Sequence, residues 1–163
     1  MSHGKIYQLA TKPISKDKYV KPEDFYENHE DYAEYIDDAE EGEEREDDIG
    51  YLTRKLSDIF EPAGKDCLVY KGEEAMQAFK RKWVDGIHEK AQAITVESVQ
   101  RSFLRTALID YVNLTHLDTW DRVVIEEWAG KFAHPMSELV LYVAEHMKEG
   151  DKLYFGAVID FGY

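Results

Sequence analysis

The stretch from Leu153 to Phe161 alternates, with Leu153, Phe155, Ala157, Ile159 and Phe161 on one side and Tyr154, Gly156, Val158 and Asp160 on the other. A two-residue period belongs to an extended strand whose side chains point alternately to opposite faces. One such strand alone would leave its apolar face in water, so the chain must build a sheet and cover it. Lys5 to Pro13 offers a partner: Ile6 and Ala10 fall on one side, Tyr7 and Leu9 on the other, and Pro13 ends the run because proline cannot donate to a ladder. Asp66 to Tyr70, bounded by Gly64 and Gly72, reads as a third short strand. Two strands alone are marginal, which favours one small sheet holding both chain ends.

Six helices are expected around it. The first starts at Pro22 and carries Phe25, His29, Tyr32, Ile36 and Ala39 at helical spacing, fraying within 40–48. The second begins near Asp48, with Ile49, Leu52 and Leu56 inward. A third carries Met76, Phe79, Trp83 and Ile87, a fourth Val99, Phe103 and Ala107. The fifth is capped by Asp118 and holds Trp120, Val123, Val124 and Trp128, and the sixth carries Met136, Leu139, Val140 and Val143. The reading is α+β: about six helices on a small, mostly antiparallel sheet of about three strands that includes both chain ends. Residues 1–163 form a single domain, and Phe79, Trp83, Phe103, Leu139, Val143 and Phe155 should share its core.

Charge is the second constraint. The chain carries 34 acids and 20 bases, net -14. Residues 17–48 hold sixteen acids against Lys18, Lys21 and Arg45, so nearly all of the imbalance lies there. Nine of the twelve residues from Asp37 to Asp48 are acidic, a segment expected to be exposed and mobile because so few apolar groups oppose its ordering entropy. Such a block repels a phosphate backbone, so direct nucleic-acid binding is not expected. It suits a basic partner protein, or a solvated face, or an imitation of a phosphate array.

Other classes fall away on simple grounds. The longest apolar run, Leu139 to Ala144, is too short to span a bilayer, and the N-terminus shows no secretory signal, so a cytoplasmic address is the default. The lone Cys67 excludes an internal disulfide and any zinc site needing two cysteines, and its apolar setting suggests a buried structural thiol. Gly-x-Ser-x-Gly, phosphate-binding glycine loops, His-Glu-x-x-His and the EF-hand spacing are missing. No cofactor or metal is expected. His29 reads as a core or interface residue, His116 and Asp118 could form a small site, and Asp110, Glu126 or Glu127 could pair with His88, His134 or His146.

The functional expectation is a non-catalytic interaction or regulatory module presenting an acidic, tyrosine-bearing surface to a basic protein. Its surface would be a helical row of Glu23, Glu27, Glu30, Glu34 and Asp38, with Tyr35 beside them. The alternatives are a small enzyme using Asp, Glu and His in a pocket, and a structural protein whose acids only solubilise it.

Overall fold

The computed structural model describes residues 3–27, 33–114, 116–117, 120–128 and 130–162. Among these, seven strands form one sheet: β1 (His3–Ala10), β2 (Tyr35–Ala39), β3 (Phe60–Pro62), β4 (Cys67–Tyr70), β5 (Arg122–Ile125), β6 (His134–Pro135) and β7 (Lys152–Gly162). The order is β3-β4-β7-β1-β5-β6, and β2 also pairs with β7. Every pairing is antiparallel except β1 with β5. Four α-helices accompany it: α1 (Gly42–Lys55), α2 (Glu73–Ala93), α3 (Ser102–Val112) and α4 (Met136–His146), with two 3-10 turns at Lys16–Lys18 and Pro22–Phe25. The class is α+β, but the expected three strands and six helices are corrected to this larger sheet and fewer helices.

β7 organises the sheet. One of its edges runs along β1 from Tyr154 to Gly162, and the other is shared between β4 at Lys152–Tyr154 and β2 at Ile159–Gly162. The simple alternation read from the sequence breaks inside this strand. Tyr7 pairs with Val158 but Leu9 pairs with Phe155, so Gly156 and Ala157 together face Gln8. That extra residue is a β-bulge, and it reverses the sides of everything after it. Leu153, Phe155 and Val158 enter the cluster under the helices, while Ala157, Ile159 and Phe161 enter the opposite one.

Gln8, 2% exposed, holds the bulge. Its Oε1 accepts from the backbone N–H of Ala157 and of Val20, both at 3.0 Å, and its Nε2 donates to Lys18 O at 3.0 Å. Glycine is required at 156, because an added Cβ would lie 2.4 Å from Gln8 Oε1.

Each face has its own cover. On one, α1, α2 and α4 deliver Ile49, Leu52, Met76, Phe79, Leu139 and Val143 onto Tyr7, Leu9 and Phe155. On the other, the segment after β1 supplies Val20, Phe25 and Ala33 against Ile6, Val124 and Ile159. Of the expected core group, Phe79, Leu139, Val143 and Phe155 share the first cluster and Trp83 packs against it. Phe103 does not: it is 64% exposed on α3, a helix with no buried residue. α3 packs chiefly along α2, where Gly86 admits the Tyr111 ring so closely that a Cβ would sit 2.2 Å from it.

Two expected helices are strands or turns instead. The stripe beginning at Pro22 gives one 3-10 turn and then β2, since Tyr35 and Ile36 find a ladder on β7 while like charges at 23, 27, 34 and 38 oppose a helix. The segment expected to hold the fifth helix contains β5, whose Arg122-Val123-Val124-Ile125 is rich in β-branched residues and lies parallel to β1. Conversely, residues 42–48 are helical rather than frayed. Glu43 and Glu44 sit in the first turn of α1, where the helix dipole favours acids.

Candidate interaction surface

The acids that dominate the sequence gather on β2 and the first turns of α1. Asp37, Asp38, Glu41, Glu43, Glu44, Glu46 and Asp47 are all exposed there. The sequence-expected residues are placed separately rather than in one helical row. Glu23 lies in the 3-10 turn and Glu27 in the turn after it, both exposed. Glu34 is exposed just before β2 and its N–H donates to Gly162 O at 2.8 Å. Asp38 is exposed on β2. Tyr35, half-buried on the same strand, meets His3 edge-on at 6.3 Å, and its hydroxyl is pushed up by burial and then by Asp37, Asp160 and Glu34. Glu30 and His29 lie outside the described residues, as does Asp118.

Sequence reasoning missed the residue that shapes this edge. Arg45, with a side chain only 11% exposed, fills the gap on β7 between β4 and β2. Its Nε and Nη2 both donate to Gly156 O, at 3.0 and 2.7 Å, and Nη2 also reaches Phe155 O at 3.4 Å. Nη1 meets both Asp66 oxygens at 3.2 Å, and the guanidinium lies over the Tyr19 ring at 5.6 Å. The planar fork thus replaces the missing ladder bonds of the bulge. A cleft of about 510 Å³ opens above it, rimmed by Lys16, Lys21, Glu41 and Lys65, but Arg45 itself is consumed by the sheet. The available signal was a single base standing among nine acids.

Beneath the same edge lies a second charge group. Lys5 on β1 contacts Glu40, Asp48 at 3.0 Å and Asp160 at 3.7 Å, so three carboxylates share one ammonium. Burial pushes the Glu40 carboxyl up to about 7, and neighbouring Asp48 adds to the rise against the pull of Lys5. Lys5 loses to burial but gains more from Glu40 and Asp48, and is raised, so it is held as an ammonium rather than a nucleophilic amine.

The folded state holds this Glu40 proton more tightly than the unfolded chain between about pH 4.5 and 7. The native state then binds more protons, and stability must fall as pH rises through that window. Glu40→Gln, which cannot ionise, should lose this slope and be the more stable protein at about pH 8 relative to wild type. Urea melts across the window check it. An unchanged slope in the variant would remove Glu40 as the cause.

The remaining candidate chemistry does not assemble. Cys67 is buried on β4, and burial raises its thiol away from the reactive thiolate. Glu127 is engaged by Thr11, whose N–H and hydroxyl donate to it at 2.8 and 2.5 Å. His134 packs edge-on between Trp128 and Phe132, and burial lowers it. Among the described residues, no three His, Cys, Asp or Glu are grouped to hold a metal ion, and no helix is long and apolar enough to cross a membrane. Set beside protein-family models, curated proteins and solved structures, the chain matches none of them.

Proposed function

We propose that the protein is a non-catalytic interaction module whose acidic, tyrosine-bearing edge docks a basic protein. One observation carries this: seven carboxylates are exposed within residues 37–47, and among the described residues only Glu46 of the seven is ion-paired, by Lys65. Arg45 is locked into the sheet, Lys5 lies under three acids, and Lys65 pairs with Glu46. Two local benefits account for part of the charge. Acids suit the α1 N-terminus, and charged side chains on an edge strand discourage sheet-to-sheet pairing. Neither needs seven. A concentrated negative field does suit steering of a positively charged partner, which then associates faster.

The rival reading, a small enzyme, has support from the proton held at Glu40 beside an open hollow lined by His3, Lys5, Asp48 and Tyr51. Salt separates the two, because exposed charges are screened over about 10 Å at 0.1 M while a pocket is not. The direct test is the quadruple variant Asp37→Asn, Asp38→Asn, Glu43→Gln and Glu44→Gln. It should fold normally, and its capture of basic proteins from lysate at low salt should drop about tenfold or more through slower association. Equal capture of the same basic proteins by variant and wild type would sink the proposal.

A further inference from the structure

At the foot of α2 and α3, on the side of the molecule built from other residues than the acidic edge, lies a hollow of about 150 Å³. His116 and Tyr111 form its platform, stacked with ring centroids 4.1 Å apart and planes 13° from parallel. Trp83 fixes that platform by donating from Nε1 to Tyr111 O at 2.7 Å. His116 Nδ1 is buried with no hydrogen-bond partner among the described residues. Around the platform stand cations. Lys55 and Lys82 line the hollow, and Lys90 lies over the Tyr111 ring at 5.1 Å.

Asp58 is the one acid among the described lining residues, and its Oδ2 accepts from Lys82 Nζ at 3.0 Å. Both partners are widely exposed, with side chains 70% and 48% accessible, so the pair is weak and exchanges readily with a competing anion. Burial and then Lys90, Lys82 and Lys55 lower the His116 imidazole, disfavouring its charged form.

We propose that this hollow binds a small oxyanion, held by Lys55 and Lys82 against the His116–Tyr111 platform. The volume admits about five waters at roughly 30 Å³ each, so it takes a phosphate or carboxylate group and not a whole drug-sized ligand, whose pockets start near 300 Å³. Lysines supply point charges for such a group. Asp58 marks where an acceptor oxygen already sits. A bound anion would also favour the imidazolium, so His116 reports its arrival.

The test follows the His116 ring protons of the full chain by NMR during addition of inorganic phosphate, with acetate as a parallel arm and ionic strength held constant with sodium chloride. The expected result is a saturable shift and a His116 titration moved to higher pH. A response to phosphate beyond that to acetate identifies the phosphate group, and the reverse identifies a carboxylate. Lys55 and Lys82 are exposed, so Lys55→Ala with Lys82→Ala should leave the fold intact and abolish the response. Asp58→Asn should tighten binding roughly fivefold, the effect of removing one like charge a few ångström away in water. No saturable shift with either anion, a shift that survives in the double lysine variant, or no gain from Asp58→Asn would overturn the proposal.

Discussion

Replacing Arg45 by Met is expected to cost about 2–4 kcal/mol of stability, one of the two largest effects foreseen for a single change in this protein. The argument rests on what the guanidinium satisfies. Gly156 O accepts two of its N–H groups and Phe155 O a third, on a stretch of β7 that neither β4 nor β2 reaches. Methionine keeps the apolar stem but leaves those carbonyls without a donor, and each buried unpaired group costs about 1–3 kcal/mol. The Asp66 contact contributes far less. Its carboxylate is 40% exposed, so Asp66→Asn should cost well under 1 kcal/mol. Urea denaturation of both variants tests the assignment. Equal losses would mean that Arg45 acts through its ion pair and not through the bulge.

Leu139→Ala should cost roughly 2–5 kcal/mol, because Leu139 is 0% exposed in the cluster between α4 and the sheet and its removal leaves a cavity. Phe103→Ala should cost no more than about 0.5 kcal/mol, the scale of an ordinary surface change, despite the larger side chain removed. The contrast is informative since both positions sit on clear apolar stripes. Thermal melts that rank Phe103→Ala as the more damaging would show that α3 is packed in solution against something other than α2.

Local patterns were readable where one period dominated. Leu139, Val140 and Val143 fixed a helix, Cys67 to Tyr70 a strand, and both agree with the structure. The failures came where two periods competed. Ile36 and Ala39 fit a helical stripe, yet they lie on a strand, and only the edge of β7 decides between the two. Ala157 and Ile159 share parity with Phe155, yet a single bulge residue sends them to the other face, and nothing local announces it beyond Gly156 and a polar Gln8 inside an apolar strand. The charge pattern located the acidic edge but misjudged its backbone. Arg45 was invisible as a structural residue because the carbonyls it caps lie more than 100 positions away. The hollow under His116 likewise joins residues from α1, α2, α3 and the loop beyond, a grouping that no spacing in the chain encodes.

The position of β7 also sets a timetable for biosynthesis. It leaves the ribosome after β1, β2 and β4, which all depend on it, with His3 matched to Gly162 at the far ends of the ladder. At about 5–20 residues per second, β1 waits roughly 7–30 s for β7. Until β5 and β7 emerge, Ile6, Tyr7 and Leu9 have no sheet to enter, and unpaired apolar strands on neighbouring nascent chains can join one another. The next residues to emerge are the acids of 17–48, net -13. Like charges on two such segments repel, which opposes pairing of neighbouring chains while the sheet is incomplete. The same charge that marks the mature surface thus serves the chain before it has a surface at all.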